Sequence, residues 1–170
     1  MKRRDWLLAA PAALAVTGAT ALGAVESARG VHFERVKNVI MSWRRKDLAA
    51  VLEACADDIV WYSHVGSPPV VGKVAMQAFI ERMAVQMQEV RWRIFHYAES
   101  GDTVFTEGVD DFTAPDGARV AIPYAGLMRF RDGKVIEWRD YFDRASFDRY
   151  KAGEAPAEHV AALINQPALF

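Results

Sequence analysis

Residues 138–142 of this chain read Trp138-Arg139-Asp140-Tyr141-Phe142, just after the turn sequence Arg131-Asp132-Gly133-Lys134. As a strand, the segment sends Ile136, Trp138, Asp140 and Phe142 to one face and Glu137, Arg139, Tyr141 and Asp143 to the other. One carboxylate therefore shares a face with large apolar side chains. Poor hydration raises the pKa of such a carboxyl and suits it to moving protons. The rival reading is a structural Asp hydrogen-bonded to a turn or a buried Tyr. Three further segments carry polar groups in the same alternating way. Tyr62 and His64 share a face of one strand; Val104, Thr106, Gly108, Asp110 and Phe112 share a face of another; Ile122, Tyr124, Gly126 and Met128 share a third. If those faces line one concavity, acid/base groups converge in an apolar pocket, the usual form of a small-ligand site. His64 also fits a place at the pocket rim, Asp110 a solvated strand end, and Tyr62, Tyr124 and Trp138 ordinary core packing.

The elements that would position these groups follow from periodicity. Phe33, Val36, Ile40 and Trp43 recur at helical spacing over about Val31 to Arg45. Asp47 can cap a short second helix with Leu48, Val51, Leu52 and Cys55 on its apolar side, ended by Asp57-Asp58. Ile59 to His64 reads as a strand, and Ser67-Pro68-Pro69 breaks it. A third helix follows with Met76, Phe79, Ile80, Met83 and Met87 on its apolar side; this Met stripe suits core, and Met83 also suits an adaptable pocket wall. Val90 to Ala98, Thr103 to Thr113, Arg119 to Arg131 and Lys134 to Phe142 then read as four strands joined by hairpin-turn sequences, an antiparallel meander. Helices first and a curved sheet afterwards define an α+β roll, a cone with helices packed on a curved antiparallel sheet. A short helix is expected from Arg144 to Tyr150, and another from His159 to Ile164.

The 170 residues carry a formal net charge of −1. The N-terminus has paired arginines (Arg3, Arg4), then no charge between Asp5 and Glu26. That is the pattern of a twin-arginine export signal, read here over residues 1–29, with a cone domain over 30–151 and a tail over 152–170. The expected location is periplasmic; a membrane anchor through residues 6–25 is the alternative, which its Ala, Gly and Thr content disfavours. Residues 1 to 24 hold three cations and one acid, so cleavage near residue 24 takes the charge from −1 to −3. That balance, without any basic stripe, argues against nucleic acid. Cys55 is the only cysteine, which excludes an intrachain disulfide, and it reads as a packed thiol. Four scattered histidines show no metal-binding spacing, and no glycine-rich phosphate loop occurs, so no metal and no cofactor are expected.

Three segments, Trp61-Tyr62-Ser63-His64 with Pro68-Pro69-Val70-Val71-Gly72, Phe105-Thr106-Glu107-Gly108-Val109-Asp110, and Gly133-Lys134 through Asp143, resemble the limonene-1,2-epoxide hydrolase group of the SnoaL-like, nuclear-transport-factor-like cone proteins. The resemblance implies a curved sheet of about six strands, three or four helices, frequent dimers and no cofactor. It further implies two aspartates on neighbouring strands, bridged by an arginine, with a tyrosine and an asparagine holding the attacking water. Carried over by motif position, the water-activating aspartate is Asp140, the acid is Asp110 and the tyrosine is Tyr62. Two positions depart: His64 stands for the asparagine and Gly108 for the arginine. Without that cation a close Asp110–Asp140 pair should titrate together, one carboxyl staying protonated near neutrality. Gly108 should also leave room for a bulkier substrate.

The expected catalytic set is thus Asp140, Asp110, Tyr62 and His64, and the expected pocket is built by Trp138, Tyr124, Ile122, Gly108, Phe112, Met83 and Phe142. The expected function is cofactor-independent acid/base catalysis on a small, mostly apolar substrate, nearest to epoxide hydrolysis. The first alternative is a SnoaL- or ketosteroid-isomerase-like isomerase, cyclase or lyase working next to a carbonyl or alcohol, where a neutral Asp and a tyrosine donate to the developing oxyanion. The second is a small-ligand-binding module without chemistry.

Overall fold

The structure is a computed structural model that describes residues 30–170. The expected export signal lies outside the described residues. Among the described residues no helix is long and apolar enough to cross a membrane. Helix α1 (Val31–Arg44) buries Phe33, Val36, Ile40 and Trp43, the stripe expected from their spacing, together with Val39. Helix α2 (Leu48–Glu53) is capped by Asp47, whose Oδ1 accepts from the Ala50 N–H at 3.0 Å. It is followed at once by β1 (Cys55–Tyr62), so Cys55 and Asp57-Asp58 belong to a strand. The sequence reading carried the helix too far because Cys55 continues its apolar stripe. Cys55 is fully buried, and burial pushes its thiol pKa up to about 12, which makes it an inert packing group.

Strand β2 (Val70–Val71) and helix α3 (Lys73–Val85) come next, then β3 (Arg93–Ser100), β4 (Thr103–Thr113), β5 (Arg119–Arg131) and β6 (Lys134–Phe142). The last three strands fall where alternation and turn chemistry place them. Helix α4 (Arg144–Lys151) is capped by Asp143, which accepts from Ala145 N–H, and α5 (Glu158–Ile164) lies in the tail. The six strands form one sheet in the order β2-β1-β6-β5-β4-β3. β1 runs parallel to β6, and the other pairs are antiparallel. Helices α1 to α3 cover one face and bury Val51, Ile59, Met76, Ile80, Ile94 and Val104 against it. Fully burying each such side chain contributes about 1.5–3 kcal/mol.

On the opposite face α5 covers a smaller cluster, where Ile164 packs with Phe95, Val109 and Ala121. The tail then runs past edge strand β3, and the Leu169 N–H donates to the Ile94 carbonyl at 2.8 Å. That bond covers part of an edge that would otherwise invite pairing with another chain.

The phase of two strands departs from simple alternation. In β6 the pairing with β5 shifts register between Arg129 and Phe130, so Val135 rather than Ile136 enters the core. In β1 the inward set is Ile59 and Trp61, and Tyr62 faces outward.

Candidate active site

Trp61 on β1 and Trp138 on β6 are paired residues of neighbouring strands, and their rings lie 5.0 Å apart. Both indoles donate to one carboxylate. Trp138 Nε1 reaches Asp140 Oδ1 at 2.9 Å and Trp61 Nε1 reaches Asp140 Oδ2 at 3.2 Å. Asp140 is 7% exposed. Burial raises its pKa, the two indole donors partly offset that, and the net value is about 7. A carboxylate held by two N–H donors in this way is fixed in orientation yet can exchange a proton near neutrality.

Asp110, on β4, is half-buried and faces the same space. Desolvation raises its pKa well above the ordinary carboxylate range, and the Asp140 charge raises it further. The two aspartates are not on adjacent strands, since β5 runs between β4 and β6. Asp110 is paired with Ile122 of β5 and Asp140 with Gly126. Gly126 places no side chain beside Asp140; a Cβ there would lie 3.5 Å from Asp140 Oδ1. None of Arg93, Arg119 and Arg129 enters the gap. Arg93 and Arg119 pair with Asp111, and Arg129 with Glu137. Neither Asp110 nor Asp140 is ion-paired with a cation among the described residues.

Both carboxyls line a cavity of about 370 Å³ between sheet and helices. Its apolar wall includes Phe79, Met83, Phe112, Ile122, Phe142 and Phe147. His64 also lines it, its ring tilted at 55° against Phe142 with centres 4.7 Å apart. The Gly66 N–H donates to His64 Nδ1 at 3.2 Å, which leaves the proton of the neutral ring on Nε2. His64 is thereby arranged as a hydrogen-bond donor rather than as a base. Behind the two acids lies a second space of about 20 Å³, enough for one water molecule. Asp110 and Asp140 reach it too, with Thr106, Tyr124, Trp92 and Trp138 around it. Burial, then the charges of Asp110 and Asp140, push the Tyr124 phenol well above its ordinary pKa, so it keeps its proton.

Of the residues expected in the site, Asp140, Asp110, His64, Ile122, Phe112, Met83 and Phe142 meet in the main cavity. Trp138 and Tyr124 stand behind it, around the small space. Two are misplaced by the sequence reading. Tyr62 lies on the outer face, where the Arg139 guanidinium sits 5.6 Å from its ring centre. β1 ends at Tyr62 and the chain bends over Ser63–Ser67, so His64 returns to the inner side without its strand neighbour. Gly108 opens no space: a Cβ there would lie 2.2 Å from the Arg93 carbonyl oxygen, because the β3 backbone closes over it. The sequence reading overlooked Trp61, whose indole completes the Asp140 clamp. The alternation Ile59, Trp61 was the available signal, and the neighbouring Tyr62–His64 pair drew attention to the wrong phase. Among the described residues no group of His, Cys, Asp and Glu side chains is arranged to hold a metal ion.

Residues 36–138 match the model of the SnoaL-like domain. The chain belongs to the SnoaL-like family. Its fold is that of the NTF2-like proteins, as comparison with solved structures shows. An NTF2-like protein of unknown function from Burkholderia pseudomallei is 26% identical, with 69% of this chain and 95% of that one covered at a TM-score of 0.63. An LEH-like epoxide hydrolase from M. tuberculosis is also 26% identical, over 69% of this chain and 86% of its own, at 0.61. A Shewanella denitrificans protein described as a SnoaL-like polyketide cyclase has 18% identity over 74% of this chain and 100% of its own, at 0.67. This family member thus shares its fold with proteins named as epoxide hydrolases, cyclases and isomerases.

Proposed function

We propose that the protein is a cofactor-independent acid/base enzyme acting on a small, mostly apolar molecule, and that its reaction is the opening of an epoxide by water. The observation that carries this reading is the Asp110–Asp140 pair on one cavity, with the Asp140 pKa at about 7 and that of Asp110 raised well above the ordinary range. Protonated Asp110 donates to the epoxide oxygen as the C–O bond breaks. Ionised Asp140 takes a proton from the water whose oxygen bonds to the carbon. The product is a diol, and the proton gained by Asp140 must return to Asp110 before the next turnover. His64 Nε2–H serves to orient the water or the substrate oxygen from the rim; Tyr62, on the outer face, has no part in it. The 26% identity to the LEH-like epoxide hydrolase supports hydrolysis as the first choice.

A second reading is favoured by two specific departures, the lack of a cation at the pair and the removal of Tyr62 from the cavity. Both weaken water activation and leave a base and an acid suited to moving a proton next to a carbonyl or alcohol, as in isomerisation or cyclisation. Incubation with a panel of epoxides in ¹⁸O-labelled water separates the readings. Labelled diol supports hydrolysis; an unlabelled rearranged product supports isomerisation. Binding without any turnover across the panel supports a ligand-binding module and removes the enzymatic reading.

A further inference from the structure

The charged residues around the main cavity are distributed unevenly. Among the described residues, the acids that line it are Asp110 and Asp140, at its inner end. The cations that line it, Arg82 from α3 and Arg144 and Lys151 from α4, are all exposed side chains of the surrounding helices. Arg82 lies over the Phe79 ring at 5.9 Å and Arg144 over the Phe147 ring at 5.3 Å, so each guanidinium is seated on an aromatic of the cavity wall. Arg144 is paired with Asp148 at 3.0 Å. Arg82 and Lys151 have no ion-pair partner among the described residues. Between these cations and the acids the wall is mostly apolar, with Met83 and Met87 as its adaptable part.

We infer that the molecule bound in this cavity is an amphiphile with a single anionic end group, held tail-first, its head at the Arg82–Lys151 rim and its apolar body toward Asp110 and Asp140. The orientation follows from charge. An anion driven to the inner end would meet a second negative charge in a poorly hydrated space, whereas at the rim it meets cations in water. An apolar body gains by leaving water along the wall. A cationic amphiphile is disfavoured at the rim, and a neutral one gains only from the wall. The inference deepens the proposed function by naming the substrate class, and it rests on that reading only in using the same cavity.

Decanoate, decanol and decyltrimethylammonium, each below its micelle concentration, provide the test by calorimetric titration of the folded protein at pH 8. Decanoate should bind at least about fivefold more tightly than decanol at low salt, the scale of one or two exposed ion pairs, and the ammonium compound most weakly. The advantage of decanoate should shrink in 0.5 M salt, where the screening length is only a few ångströms (on the order of 4 Å). It should vanish in the Arg82→Gln, Lys151→Gln double variant, whose decanol affinity stays unchanged. Met83→Trp, which fills the cavity, should weaken decanoate and decanol together, with its melting curve confirming a folded protein. Equal affinity of decanoate and decanol, or an advantage that survives the double variant, overturns the anionic-head proposal and leaves the acid/base reading standing. Decanoate binding untouched by Met83→Trp puts the ligand elsewhere and overturns it too. Failure of all three compounds to bind removes both the proposal and the apolar cavity on which the proposed function depends.

Discussion

Asp110 and Asp111 are consecutive residues of β4 with the same side chain, and they sit in opposite electrostatic environments. Asp110 points into the cavity, where desolvation and the neighbouring Asp140 raise its pKa well above the ordinary range. Asp111 points to the outer face and is deeply buried, with 1% exposure. Yet Arg119 meets it at 2.6 Å, Arg91 at 3.1 Å and Arg93 at 3.5 Å. Burial pulls its carboxyl up, but hydrogen bonds from Arg119 and Arg91 outweigh that and hold it below the ordinary range. Glu137 on β6 is likewise buried on the outer face and paired with two cations, Arg129 and Arg139. Burial alone therefore does not make an acid reactive. The sheet sends these cations to one face and leaves the two carboxyls of the other face without an ion-pair partner among the described residues.

The largest expected effect breaks the inner face. Asp140→Asn keeps the shape and one of the two indole hydrogen bonds, since its amide NH2 cannot accept from the other, and it removes the basic oxygen, so turnover should fall at least about a hundredfold in a protein that still melts cooperatively. Near-normal turnover in the folded variant would leave Asp140 a structural residue. The next breaks the outer face. Asp111→Asn strands three guanidiniums that are themselves partly exposed, and it should cost about 2–3 kcal/mol in urea unfolding at pH 7. Asp110→Asn, one residue earlier, should be neutral or stabilising while impairing turnover, since it removes a carboxyl that folding must take up protonated in a poorly hydrated place. If the two variants lose equal stability, the contrast drawn between the faces is wrong.

The pH dependence sharpens the same contrast, because the two faces have opposite signs. Asp140 has a folded pKa of about 7, above the unfolded value near 4, so its contribution is fully present below pH ~4 and is lost as pH rises toward and through 7. Asp111 has a lowered folded pKa, so its contribution is present above the ordinary carboxylate range and lost as pH falls through the folded pKa. Compared with an Asp110→Asn, Asp140→Asn double variant, the native protein should lose at least about 2 kcal/mol of unfolding free energy between pH 4 and pH 8. A difference that stays flat with pH means that neither inner carboxyl is perturbed.

The smallest effect tunes one donor. Trp61→Phe keeps the packing against Trp138 but removes the bond to Asp140 Oδ2. Losing a donor to the ionised form raises the Asp140 pKa, so the acidic limb of the pH–rate profile should move up by about one unit. An unmoved limb assigns that limb to another group.

The sheet was legible because its strands carry period-two alternation broken by turn residues, and β4, β5 and β6 start and stop where Gly101, Gly117 and Gly133 allow. Asp140 was legible for a related reason, as a lone charge on an apolar face. What lay beyond the sequence was phase and depth. A bend after Tyr62 reverses which side the next residues face, and alternation says nothing about bends. The arginine set around Asp111 draws on β3, β5 and the segment before β3, and so depends on which strands become neighbours. Gly108 read as empty space because a missing side chain looks the same whether a ligand or a backbone fills its place.

The close approach at Gly108 constrains the site's history. A Cβ at that position would already strike the Arg93 carbonyl at 2.2 Å, so an arginine there requires β3 to move before the guanidinium can reach either acid. The arginine-bridged design and this one are therefore not one substitution apart. A change of pairing between β3 and β4 has to accompany the side chain.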